Sequence, residues 1–186
     1  MFKKNLILSL ILLFCASLAF SQDKYFTKTG KINFFSKASL EDIEAKNNTV
    51  TAVLDSKSGA IQFAAMMKSF EFEKELMQQH FNENYVESDK FPKGEFRGVI
   101  TNNNEINYSK DGSYTARVKG KMTIHGITKD IETTGTIKVD GGKVNANSVF
   151  NILLSDYKIK IPAVVKDKVS NSIKISVDCK LEPLKG

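Results

Sequence analysis

The stretch Tyr114-Thr-Ala-Arg-Val-Lys-Gly-Lys-Met-Thr-Ile124 decides the fold class. Ala116, Val118, Gly120, Met122 and Ile124 share one face of an extended chain, and Arg117, Lys119 and Lys121 take the other. Side chains alternate across a strand, so a period of two puts one face on a core and the other in water, the habit of antiparallel sheets. The same period recurs on both sides of this stretch. Downstream it runs through Ile131, Thr133, Gly135, Ile137 and Val139, then through Val144, Ala146, Ser148, Phe150, Ile152 and Leu154, and closes in Ile173 to Leu181. Upstream it appears in Val50, Ala52 and Leu54 and in Ile61, Phe63, Ala65 and Met67. Ser58-Gly59, Asp111-Gly112 and Asp140-Gly141-Gly142 supply turn chemistry between these runs, since Gly takes the positive φ of tight hairpins. The spacing predicts an all-β domain of about eight antiparallel strands, as a barrel or sandwich.

One segment breaks the alternation. From Phe70 to Phe81 the spacing turns helical, with Phe70, Met77 and Phe81 at i, i+7 and i+11 and Leu76 and His80 at i, i+4. Glu73, Lys74 and Glu75 lead this helix, Asn84 is its expected C-terminal cap, and a turn-rich link runs on to Phe91-Pro92. A single amphipathic helix between strands reads as a cover over one barrel end.

The first 21 residues read as a leader rather than as fold. Lys3 and Lys4 precede an apolar run from Leu6 to Phe14, and small residues Ala19 and Ser21 stand three and one before a cut ahead of Gln22. That run is shorter than the roughly 20 residues of a membrane span, so no stable span is expected. Phe14 stands before Cys15 where a lipoprotein cut wants a small residue, which speaks against lipidation. A single domain over 22–186, exported to the periplasm or secreted, is the expectation. With Lys3 and Lys4 removed the formal net charge falls from +6 to +4, spread without a basic stripe, so a nucleic-acid partner is not expected.

The chemistry-bearing residues are sparse. Beyond the leader Cys179 has no cysteine partner, and its place on the apolar side of the last strand reads as an inert core thiol. The two histidines, His80 and His125, fall short of a metal site, and no cofactor is called for. No nucleophile elbow, phosphate loop or paired carboxylates stand out, so no catalytic residue is assigned and the chain does not read as an enzyme.

Several motifs together resemble the YceI-like family of bacterial periplasmic proteins that bind polyisoprenoids. They are Met77-Gln-Gln-His80-Phe81 with Ser88-Asp89-Lys-Phe91-Pro92 and Phe96, then Gly120-Lys-Met-Thr-Ile-His-Gly126-Ile-Thr128-Lys129, then Phe150-Asn-Ile-Leu-Leu-Ser155-Asp156-Tyr157, and the closing strand to Leu181. Asp130 stands where the family has Pro, and Lys158 where Gly is common. The resemblance implies a lipocalin-like, eight-stranded antiparallel barrel with one short α-helix covering an end, and a long apolar ligand inside. The lipocalin Gly-x-Trp signature is absent, since the chain has no Trp.

On that reading Phe63, Met67, Phe96, Ile100, Val118, Met122, Phe150 and Ile152 line the lumen, and Phe70, Met77, Phe81 and Phe91 close an end. His80 either meets a polar head group or anchors the helix to backbone, the anchor being favoured. The helix and the link from Asn84 to Phe91 are the expected gates. Burying an aliphatic tail yields about 0.8 kcal/mol per CH₂, offset by the tail's lost freedom. The ligand classes that fit are a polyisoprenoid, a prenyl quinone or a fatty-acid-like lipid. Two rivals stand beside this carrier: a filled barrel acting through its outer surface as a stress-related or adaptor protein, and an enzyme on lipids or quinones. Edge-strand pairing offers a route to a homodimer.

Overall fold

The structure is a computed structural model that describes residues 23–184, so the leader and its cut lie outside the described residues. Nine strands follow one another: β1 Lys24–Lys37, β2 Asp42–Asp55, β3 Ala60–Met66, β4 Glu71–Phe72, β5 Lys93–Ile100, β6 Gly112–Ile124, β7 Ile127–Asp140, β8 Lys143–Leu153 and β9 Ser172–Pro183. Each long strand pairs antiparallel with its neighbours, and β1 pairs with both β9 and β2, which closes eight of them into a barrel. The two-residue β4 is an appendage on β2, through Ala45 opposite Phe72 and Lys46 opposite Glu71.

The meander gives the barrel two unlike ends. One end, the base, collects the turn at 56–59, the loop at 101–111, the Gly141-Gly142 turn and both described termini. It is packed solid. Leu54, Ile100, Val139, Val144 and Leu181 are almost fully buried there. The expected tight turn at Asp111-Gly112 is instead the end of an eleven-residue loop, because β6 itself starts at Gly112. That loop folds inward as a plug. Ile106 is buried, Tyr108 stacks on Tyr25 at 6.1 Å, and the buried Asn102 donates to Thr115 O and Glu105 and accepts from the Arg117 N–H.

The other end, the mouth, collects the β1–β2 turn, the long insertion 67–92, the β6–β7 turn and the loop 154–171. The helix α1 spans Glu75–His80 and continues as a π turn over Phe81–Tyr85. It begins five residues later than its spacing suggests. Phe70 to Phe72 are extended because Glu71 and Phe72 pair with β2, and the Phe72 N–H donates to Gln78 Oε1 at 3.4 Å. Asn84 is not the cap; it lies inside the π turn, which Val86 closes with its N–H on Phe81 O at 2.9 Å.

Halfway along the β5–β6 ladder two glycines stand opposite each other, Gly98 on β5 and Gly120 on β6. The Phe96 ring fills the space that side chains there would take. A Cβ on Gly120 would sit 2.4 Å from Arg97 O and 2.7 Å from Phe96 Cζ. Between β7 and β8 the ladder runs only from Asp140–Lys143 to Gly135–Ser148. Above it Ile127–Thr134 and Val149–Leu153 diverge, the fork being stitched by Ser148 Oγ donating to Thr134 O at 3.1 Å.

Two predictions follow from this packing. Gly120→Ala forces the β5 and β6 backbones apart and lowers stability by about 1–3 kcal/mol, read as a lower urea midpoint at unchanged slope. The second concerns alkali. Burial pushes the Cys179 thiol up to about 12 and the Tyr157 phenol to about 12, and raises Tyr25 and Tyr108 as well. Above pH about 9 the unfolded chain releases these protons while the folded chain keeps them, so the unfolded state binds fewer protons and stability falls as pH rises. Urea midpoints are therefore expected to decline between pH 9 and 12 and to be insensitive to these groups below that window. The native Cys179 thiol stays unreactive toward iodoacetamide at pH 8.

Candidate functional site

Four phenylalanines set up the mouth. Phe34 from β1 meets Phe70, Phe72 and Phe81 at 5.4, 5.6 and 5.5 Å between ring centroids, and Phe81 meets Phe72 at 5.1 Å. The tilted and edge-on packing suits the ring quadrupoles. These contacts fasten the helical segment to the β1–β2 side of the barrel. The π turn matters here, because an extra residue per turn rotates Phe81 and Tyr85 inward together.

Beneath that cover lies a cavity of about 440 Å³. Its floor and walls are apolar, with Met67, Ile124, Ile152, Ile173 and Ile175 from the barrel and Met77, Phe81, Tyr85 and Val86 from the helical cover. Ile159, Val165 and Val169 of the loop 154–171 close the side opposite the helix. Polar groups are confined to the rim and upper wall: Ser36, Glu41, Lys74, His80 and Lys168. Lys74 Nζ meets Glu41 Oε1 at 2.8 Å, tying the start of α1 to the β1–β2 turn. That hydrogen bond, with a smaller push from Lys168, holds the Glu41 carboxyl below its usual range. Deeper in the barrel a second, smaller space of about 90 Å³ is lined by Phe63, Phe96, Ile100, Val118, Met122 and Phe150. Ile131 and Thr133 also line it, so it reaches the wall where β7 and β8 part.

The thirteen residues assigned from sequence divide between these spaces. Met67, Phe70, Met77, His80, Phe81 and Ile152 line the large cavity, and Phe63, Phe96, Ile100, Val118, Met122 and Phe150 the small one. Phe91 lines neither. Its ring lies edge-on to His125 at 4.8 Å and covers Gly126. Phe34, Phe72, Tyr85, Ile159 and Val169 line the cavity without having been singled out. Phe70 and Phe72 carry a strand period that the helical reading of this segment overrode, and Phe34 sits in the same period with Ile32 and Ser36.

The expected anchor, His80, is exposed, and its ring makes no hydrogen bond among the described residues. The anchoring histidine is His125, in the β6–β7 turn with φ +51°. Its Nδ1 lies 3.1 Å from Tyr157 O and its Nε2 2.9 Å from Glu87 Oε2. Both partners are acceptors, so the ring makes both bonds at once only when it carries both protons. Lys90, and then His125, hold the Glu87 carboxyl below its usual range. Glu87 and Lys158, which follows Tyr157, are the other non-glycine residues with positive φ, at +46° and +56°. Three left-handed turns thus meet at one imidazole. The link from Asn84 to Phe91, expected with the helix as a gate, is tied through Glu87 to the β6–β7 turn by this knot.

Among the described residues no group of three or more His, Cys, Asp or Glu is placed to hold a metal ion, and no helix is long and apolar enough to cross a membrane.

The family model for the YceI-like domain matches residues 19–181. Among solved structures, the chain is similar to a polyisoprenoid binding domain from Saccharophagus degradans implicated in plant cell wall breakdown. The TM-score is 0.77 at 11% identity, covering 87% of this chain and 99% of that one. It is similar to BcnA of Burkholderia cenocepacia, with TM-score 0.66, 17% identity and coverage of 82% and 95%. The YceI protein of Campylobacter jejuni follows the same fold, with TM-score 0.58, 19% identity and coverage of 76% and 85%. At these identities the likeness is one of fold. No curated protein matches the sequence.

His125→Ala removes the donor from Tyr157 O and Glu87 and the edge contact from Phe91. A loss of about 1–3 kcal/mol is expected, together with faster amide exchange confined to 86–92 and 125–127. Uniform exchange across the barrel would show that the knot is not local.

Proposed function

The chain belongs to the YceI-like family, and from that premise we propose that it binds and carries a long apolar molecule, a polyisoprenoid, prenyl quinone or fatty-acid-like lipid, across the periplasm. The observation that carries this reading is the apolar cavity of about 440 Å³ at the mouth. Its volume lies within the roughly 300–1,000 Å³ of small-molecule sites. A barrel acting only through its outer surface has no use for such a space, because unfilled apolar volume costs stability.

The polarity gradient sets the pose. Polar groups stand at the rim and upper wall and none at the apolar floor, so the tail runs inward past Met77 and Ile152 and the head stays near Lys74, His80 and Lys168. The small inner space, beyond the floor, extends the path toward Phe150 and Met122. A tail that threads from one space into the other displaces side chains such as Phe63 and Phe96, whose rings lie 6.3 Å apart. Binding then selects tail length and shape, with weak discrimination among heads. The role proposed is sequestration and transfer, without turnover of the ligand.

Native mass spectrometry of the protein recovered from a periplasm, followed by organic extraction, tests the proposal. The expected result is a stoichiometric adduct identified as an isoprenoid or long-chain lipid. An apo mass that persists after incubation with prenyl quinones and with 11-(dansylamino)undecanoic acid would overturn it. Met77→Asp, which sets a carboxylate in the cavity wall from a half-exposed helix position, is expected to weaken probe binding about tenfold without lowering the unfolding temperature.

A further inference from the structure

The loop joining β8 to β9 contains Lys158-Ile-Lys160-Ile-Pro162-Ala-Val-Val165-Lys166-Asp-Lys168. Five apolar residues are bracketed by two lysines on each side. The loop is two-faced. Ile159, Val165 and Val169 turn inward and form the cavity wall, while Pro162, Ala163 and Val164 stand out in solvent. Val164 is 90% exposed, Leu40 on the neighbouring β1–β2 turn 71% and Leu76 on α1 61%. These three are the most exposed large apolar side chains at the mouth. The arrangement is set rather than loose. The Leu40 N–H donates to Asp167 O at 2.9 Å, and the N–H groups of Lys168 and Val169 both bond Val165 O, at 2.9 and 3.0 Å.

Charge distinguishes one side of the rim from the other. The loop 158–168 carries four lysines against Asp167, and among the described residues none of those four makes an ion pair at salt-bridge distance. The helix side carries Glu73 and Glu75, and its Lys74 is held by Glu41. An apolar tip between lysines that no carboxylate meets at salt-bridge distance fits an interface where acyl chains lie beneath anionic phosphates. A protein partner would more often meet a broader apolar patch with few lysines.

We propose that this loop, with Leu40 beside it, docks the mouth of the barrel on an anionic lipid bilayer surface. Val164 and Leu40 enter the acyl boundary, and Lys158, Lys160, Lys166 and Lys168 lie at the phosphates. The cavity then opens against the membrane, with the helix side tilted away from it by Glu73 and Glu75. Docking rests on the exposed tips and lysines of the outer mouth and holds whatever the cavity contains, so a failure here and a failure of ligand binding are read separately.

The test is flotation of residues 22–186, which hold every strand of the barrel and lack the apolar leader. The vesicles contain equal parts of phosphatidylcholine and phosphatidylglycerol, or phosphatidylcholine alone. The protein is expected to float with the mixed vesicles at low salt, to float far less with phosphatidylcholine, and to be released as salt rises. Val164→Asp is expected to lower partition about tenfold, and Lys160→Gln and Lys166→Gln about fivefold each, all with unchanged thermal unfolding. Protein left in solution with the mixed vesicles overturns the proposal and would make the bare tip a contact for another protein. Val164→Asp floating like the unsubstituted chain overturns it equally.

Discussion

The bore of an eight-stranded barrel is fixed by its strands, and side chains decide only how much of it is filled. Here closure comes from β1 pairing on both sides, with β2 along almost its whole length and with β9. Everything else is an answer to the bore that closure creates. At the base the answer is filling, with Leu54, Ile100, Val139 and Leu181 packed under the plug of the 101–111 loop. At the mouth the bore is left open, because the cover is a helix propped on four phenyl rings rather than a side-chain core. The Phe34 cluster therefore does two things. It buries the apolar face of the insertion, and it keeps that insertion high enough for a cavity to remain beneath.

The two ends differ in how their backbone is held. The plug at the base is tied by Asn102 to three separate partners, with Asn103 donating to Ser56 O. The mouth is fastened at one corner by His125 and at another by the exposed Lys74–Glu41 pair. Exposed ion pairs contribute little because solvent screens them, whereas a half-buried histidine bridging two segments is costly to break. An opening motion that releases α1 at the Lys74 end while the link stays fixed at His125 is the mechanically cheaper one. The helix is also short, a single α turn and a half running into a π turn, so little helical hydrogen bonding opposes it.

Much of the barrel was legible in sequence because period-two alternation is a local signal with one reading. Tyr114 to Ile124 could hardly be anything but a half-buried strand, and its partners repeat the pattern. Where the reading failed, two signals competed. Phe70, Met77 and Phe81 fit a helical spacing, yet Phe70 and Phe72 also fit a strand, and only the nearness of Ala45 and Lys46 on β2 decides between them. Asp111-Gly112 is good turn chemistry, but turn residues do not say how many residues the loop needs to plug a barrel base. His80 and His125 were both visible, but the anchor is His125 rather than His80, since it depends on Glu87 and Tyr157, distant in sequence. Lys158 is the instructive departure. Family resemblance expects Gly there, and the structure places it in the left-handed region at φ +56°, so a lysine bears a conformation that glycine would adopt at no cost.

That substitution bears on the mouth. A non-glycine residue in the left-handed region costs roughly 1 kcal/mol or more, and such strain persists where neighbouring contacts over-determine the backbone. Here the neighbour is Tyr157, whose side chain is buried and whose carbonyl oxygen faces His125. Beyond it the chain must leave the barrel wall, expose Lys158 and Lys160, and still return Ile159 to the cavity. A left-handed residue makes that reversal in one step. With lysine rather than glycine at the step, the loop gains a charge at the foot of its apolar tip. The same turn that shapes the cavity wall thus sets a positive charge beside the opening, and the two cannot be changed independently.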